Sequence, residues 1–190
     1  MSDVEYRSFV ECRAEVPAGS KRIDGYAVVF DVKSLDLGGF REIIKPEAVN
    51  RTLREGLDVR ALVDHDSGKV IGRTRAGTLT LKKEKRGLRV DIDPPDTTAG
   101  RDILESVRRG DISGMSFGFR VVTDEWRMED GEAIRDVFDM EIREVSIVGF
   151  PAYPQTSVDV AQRSLKAFQA TRRGSNIKWL QRVHKTRMAR

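Results

Sequence analysis

The chain has 190 residues, about one domain's worth, with 39% hydrophobic and 34% charged residues, which suits a folded core carrying a polar appendage. A single cysteine, Cys12, excludes an internal disulfide framework, and no apolar run reaches the length of a membrane span. The net charge of +4 is uneven: residues 160–190 hold nine Arg or Lys and no Asp or Glu, leaving residues 1–159 at −5. That places the basicity in a tail, the kind of segment that meets an acidic partner or stays a solvated extension.

Tyr6 to Val16 reads as a first strand, and Gly25–Phe30, apolar and β-branched, as a buried one. A loop follows from Asp31 to Phe40, turning at Gly38-Gly39. Pro46 opens a short helix with Ala48, Val49 and Leu53 as its apolar stripe and Gly56 as its stop. Leu57 to Asp64 alternates with a period of two, so it reads as a strand with His65 at its end. Thr78–Lys82 and Leu88–Asp93 read as a hairpin around Lys85-Arg86-Gly87. Thr97 or Thr98 caps a helix running to Arg109, with Ile103, Leu104 and Val107 on one face and Gly110 ending it.

Met115, Phe117, Phe119 and Val121 then share one face of a strand, and Ser116 and Gly118 share the other. Gly114 and Gly118 leave room for a close backbone approach. Glu129-Asp130-Gly131 is a turn, and a long strand returns from Ile134 to Phe150. Beyond Val158 two basic amphipathic helices are predicted, one with Ala161, Leu165 and Phe168, the other with Ile177, Leu180 and His184. Six or seven strands without regular β-α alternation argue against a doubly wound parallel sheet and for a mainly antiparallel barrel with helices outside it. The division expected is a domain over residues 1–158 and a basic tail over 159–190.

Two residues carry the chemistry. His65, within Asp64-His65-Asp66, is one of only two histidines, and Ser116 lies between glycines in Gly114-Met115-Ser116-Phe117-Gly118. A histidine that takes the proton of a serine hydroxyl is the minimum of a serine hydrolase. Taken singly, a strand-end histidine is more often structural, and Ser113 and Ser146 are rival nucleophiles on spacing alone. No zinc, calcium or phosphate-loop pattern appears, so no cofactor is expected.

Four segments, in order, resemble one family. They are Gly39-Phe40-Arg41-Glu42-Ile43-Ile44-Lys45-Pro46-Glu47-Ala48-Val49, the block Val63-Asp64-His65-Asp66 followed by Ile71-Gly72-Arg73, the serine block Gly114–Phe119, and Glu144-Val145-Ser146-Ile147-Val148 followed by Pro151-Ala152. The family is that of the prohead maturation serine proteases of tailed bacteriophages, of the HK97 type. The resemblance implies a fold similar to the herpesvirus assembly protease: mainly β with short helices, an antiparallel β-barrel surrounded by helices. It implies Ser116 as nucleophile and His65 as general base. For the third member it favours Glu144, with Glu141 and Asp66 as alternatives. Herpesvirus relatives use a second histidine there, and the other histidine of this chain is His184, in the tail. Oxyanion donors are expected near Ser146 to Gly149.

The activity implied is a serine endopeptidase cutting the scaffolding segment of the major capsid protein, and itself. Partners would be that capsid protein and other copies of the protease, with no membrane and no nucleic acid. The setting implied is the host cytoplasm, inside the immature procapsid. The N-terminus lacks a basic-then-apolar leader pattern, in keeping with a protein that is not secreted. The alternative is an inactive relative that acts as a capsid assembly or scaffolding factor.

Overall fold

A computed structural model describes residues 4–150 and 160–171. The protein is mainly β with short helices, its strands forming two sheets around one core. In the first sheet the order is β1 (Glu5–Arg7), β9 (Gly114–Glu129), β10 (Glu132–Val148), β5 (Arg60–Val63), β6 (Asp66–Arg73), with β4 (Phe40–Ile44) also paired to β10. In the second it is β2 (Ala14–Glu15), β3 (Ile23–Val29), β8 (Gly87–Ile92), β7 (Leu79–Lys83). The chain passes from one sheet to the other at Arg13-Ala14: Arg13 bridges to Gly114, while Ala14 already pairs with Gly25 of β3. The predicted strand from Tyr6 to Val16 is therefore two short strands, because this segment changes sheets midway.

β10 is the spine of the first sheet. It runs antiparallel to β9, and parallel to β4 along its first half and to β5 along its second. The sheet is thus mixed: β10 pairs in parallel with β4 and β5, while the other pairings are antiparallel, as a mainly antiparallel fold leads one to expect. β9 and β10 join through Asp130-Gly131, both at positive φ (49° and 86°), the two-residue turn whose twist suits a hairpin. Between the sheets lie Ile23, Val28, Leu88, Ile92, Phe117 and Phe119 with their neighbours, all buried. The helix predicted from Thr98 forms as α2 (Thr98–Arg109), with the Thr97 hydroxyl accepting the Gly100 N–H at 3.2 Å. The Pro46 segment is a 3-10 turn (Pro46–Val49) continued by α1 (Asn50–Arg54).

β4 and β6 were not foreseen. In β4 the alternation is hidden because Glu42 points inward, fully buried, to meet Arg7 and Arg135. Those three residues form an ionic cluster with Glu5: Arg135 Nη1 lies 2.9 Å from Glu5 Oε2 and 3.0 Å from Glu42 Oε2, and Arg7 Nη2 lies 2.5 Å from Glu5 Oε2. The cluster ties β1, β4 and β10 together beneath the site face. Residues 160–171 form a helix, α3, whose Ala161 and Leu165 are buried against Leu37, Phe40 and Ala133, with Phe168 stacked on Trp126. The second predicted tail helix and His184 lie outside the described residues. No helix among the described residues is long and apolar enough to cross a membrane.

Candidate active site

The candidate residues gather on the face of the first sheet turned away from the core. Along β9, Met115, Phe117 and Phe119 point inward, so Ser116 and Gly118 point to the opposite face. The register places Ser146 opposite Ser116, and Glu144 opposite Gly118. β10 reaches this arrangement only through a bulge. Ile142 and Val145 are both fully buried although three residues apart, so the alternation slips at Arg143 between Ile142 and Glu144. Without the slip, Glu144 would enter the core.

His65 comes from the turn joining β5 to β6. Asp64 and His65 have φ of 48° and 60°, left-handed values that a bulky residue adopts at a cost. The turn is held from β10 at several points. The Asp64 N–H donates to the Ile147 carbonyl at 2.9 Å, and the Asp64 carboxylate accepts the Gly149 N–H at 3.0 Å. The His65 N–H donates to Ser146 Oγ at 3.3 Å. The imidazole Nδ1 lies 2.6 Å from Glu144 Oε1. Ser146 Oγ donates to the other oxygen, Oε2, at 2.5 Å. Tyr6 of β1 packs edge-on against the imidazole, with ring centroids 4.6 Å apart. Burial, and then the Glu144 charge, push the Tyr6 phenol above its ordinary ionisation range.

The structure therefore brings His65 to Glu144 and places Ser116 on the same face, one residue pair away. It does not bring the Ser116 hydroxyl to the imidazole: that hydroxyl, nearly buried, donates to the Arg7 carbonyl at 2.9 Å. Ser116 and Gly118 stand about 7 Å apart along the strand, and a Cβ on Gly118 would come within 2.9 Å of Glu144 Oε1. The other acids lie elsewhere. Glu141 pairs with Arg120 at 3.0 Å and Arg143 at 2.6 Å. Asp66 accepts the Gly68 N–H at 2.8 Å, a bond that holds its carboxyl below the usual range. Ser113 is exposed ahead of β9. Ser146 faces the carboxylate instead of an imidazole nitrogen.

Two expectations need correction. Gly149 is not an open oxyanion donor, because its N–H is given to Asp64, and Ser146, Ile147 and Val148 lie inside the β9–β10 ladder. Gly118 makes room for the side chains of Tyr6 and Glu144, not for a neighbouring backbone. Sequence reasoning also missed Tyr6 and the bulge. The local sign of the bulge is the adjacent polar pair Arg143-Glu144, which interrupts an alternation that otherwise runs from Phe138 to Ile147. Among the described residues no group of three or more His, Cys, Asp or Glu is placed to hold a metal ion.

A histidine oriented by a buried carboxylate beside a serine-bearing strand is an arrangement suited to acyl transfer. Residues 9–171 match the sequence family of caudovirus prohead serine proteases, and the chain belongs to that family. The solved structure of the bacteriophage T4 capsid assembly protease aligns with 76% of this chain and 96% of its own length, at a TM-score of 0.48 and 11% identity. No curated protein matches the sequence.

Proposed function

We propose that this chain is a serine endopeptidase in which Ser116 is the nucleophile, His65 the general base and Glu144 the group that orients the imidazole. The observation that carries the reading is the 2.6 Å contact between His65 Nδ1 and Glu144 Oε1, on the face that also bears Ser116. A carboxylate on Nδ1 fixes the tautomer that leaves Nε2 able to accept a proton, and it stabilises the imidazolium that forms. In the reaction, Ser116 Oγ leaves the Arg7 carbonyl by a rotamer change and attacks a peptide carbonyl. Its proton passes to His65 and then to the leaving amine, and water releases the acyl-enzyme by the same route.

Family membership supports the substrate: the scaffolding segment of the major capsid protein, and the protease itself. The setting that follows is the immature procapsid in the host cytoplasm. A helix-flanked barrel akin to the herpesvirus assembly protease is the fold relation that accompanies this reading.

Co-expression with the major capsid protein tests it. Wild type should shorten the capsid protein, while Ser116→Ala and His65→Ala should each leave it whole on a gel, with the cut mapped by mass spectrometry. Full processing by either variant would end the assignment. One observation favours the second reading, a non-enzymatic assembly factor: the Ser116 hydroxyl rests on Arg7 and not on His65. That reading predicts no cleavage by wild type and normal assembly with Ser116→Ala.

A further inference from the structure

The proposed reaction leaves Ser146 without a task, yet it is one of the most constrained polar residues in the protein. It is 1% exposed and lies directly across the ladder from Ser116. Its hydroxyl donates to Glu144 Oε2 at 2.5 Å and accepts the His65 N–H at 3.3 Å. Glu144 gives its remaining oxygen to His65 Nδ1 at 2.6 Å. The histidine is thus gripped at its ring through Glu144 and at its backbone through Ser146, two residues of one strand.

The carboxylate itself is confined on other sides. A Cβ at Gly118 would lie 2.9 Å from Glu144 Oε1 and 3.0 Å from its Cγ, so the glycine gives the floor on which Glu144 lies. The same Cβ would lie 2.8 Å from Tyr6 Cε1, so the Tyr6 ring stands beside it. A glutamate has three torsions, and a floor and a wall leave the carboxylate free to rotate about the last. The Ser146 hydroxyl removes that freedom by fixing one oxygen, which aims the other at the imidazole.

The geometry points to Ser146 as a positioning residue that acts on His65 through Glu144, touches no substrate and is not a second nucleophile. This rests on the proposed roles of Ser116, His65 and Glu144. The base beside the Ser146 hydroxyl is a carboxylate, far weaker than an imidazole and already committed to His65, and the hydroxyl's lone pair takes a backbone N–H, so the oxygen is poorly set for attack.

The test uses full-length protein, a fluorophosphonate probe with mass spectrometry of the labelled peptide, and the far-downfield proton NMR signal of a histidine Nδ1–H bound to a carboxylate. In wild type the label should fall on Ser116. In Ser146→Ala it should still fall there, with the maximal inactivation rate reduced about tenfold to a hundredfold, the loss of one hydrogen bond to a charged group, and probe affinity unchanged. The downfield signal should broaden or vanish in Ser146→Ala, and both readouts should return in Ser146→Thr, which restores a hydroxyl. If Ser146→Ala does not fold, Ser146→Cys, similar in shape but a weaker donor, is read in the same two ways.

A wild-type rate with an unchanged signal in the hydroxyl-free variant would overturn the inference, as would wild-type label found on Ser146. Absence of labelling and turnover in wild type would instead sink the protease reading. The downfield signal would then decide by itself whether Ser146 holds the Glu144–His65 pair.

Discussion

Gly118 illustrates how a missing side chain does structural work at the scale of one residue. A methyl there would press on Tyr6 Cε1 at 2.8 Å and on Glu144 Oε1 at 2.9 Å, and Glu144 cannot retreat without leaving His65. Gly118→Ala should therefore reduce peptide cleavage at least about tenfold, whereas its stability cost should stay within the roughly 1–3 kcal/mol of overpacking. A cleavage assay paired with urea unfolding separates the two. Cys12 makes a different prediction. It is fully buried with its thiol on the Ala27 carbonyl at 3.2 Å, and burial pushes its ionisation from 9.0 up to about 12. Between those values the unfolded chain releases a proton that the folded chain keeps. Stability from this group is complete below pH 9 and falls as pH rises toward 12, by about 1.4 kcal/mol per pH unit. Cys12→Ala should flatten the slope of unfolding free energy against pH between 9 and 10.5, relative to wild type. An identical slope would contradict it.

At the scale of elements, the sequence was legible wherever a local signal closed on itself. The helix from Thr98 to Arg109 and the Asp130-Gly131 turn announce their own ends through capping or left-handed residues, and the β7–β8 hairpin through two alternating runs on either side of a short polar turn. β4 and β6 do not. β4 buries Glu42, so its inward face is not apolar, and β6 begins with five exposed residues, so it has no apolar face over most of its length. The site divides similarly. His65 and Ser116 stand out in the chain as a rare histidine and a glycine-flanked serine. The contact between His65 and Glu144 spans 79 residues and depends on a bulge, and no local periodicity encodes either. The bulge can be removed: deleting Arg143 makes Ile142 and Glu144 neighbours opposite Phe119 and Gly118, which keeps Ile142, Val145 and Ile147 inward and Glu144 outward. The deletion should therefore leave Glu144 on the site face and cleavage measurable, whereas inserting a residue there should not. Cleavage lost on deletion would mean that the kink itself, and not only the sidedness, sets the Glu144–His65 contact.

Across the whole molecule, two long-range attachments hold the site to the rest. The buried cluster of Glu5, Arg7, Glu42 and Arg135 locks β1, which supplies Tyr6 and the Arg7 carbonyl, to the spine of the sheet. Arg135→Ala would leave two buried carboxylates sharing one arginine, and should destabilise the protein by about 3–5 kcal/mol in urea unfolding. At the far end of the hairpin, α3 covers Trp126, whose Nε1–H donates to Ser164 Oγ at 2.8 Å. Trp126 lies eight residues along β9 from Gly118, about 27 Å. Deleting residues 160–190 should therefore leave peptide hydrolysis intact while red-shifting Trp126 fluorescence, the only tryptophan then remaining. Loss of hydrolysis on deletion would show that α3 supports the site from a distance.

The position of β10 has a bearing on timing. It is the last strand of the described chain to be synthesised, yet β4, β5 and β9 all depend on it, and it supplies both Glu144 and Ser146. A nascent chain still short of residue 148 holds a histidine turn and a serine strand with nothing between them. The proposed His65–Glu144 pair therefore assembles only late in translation, after the strands that flank it have already been made.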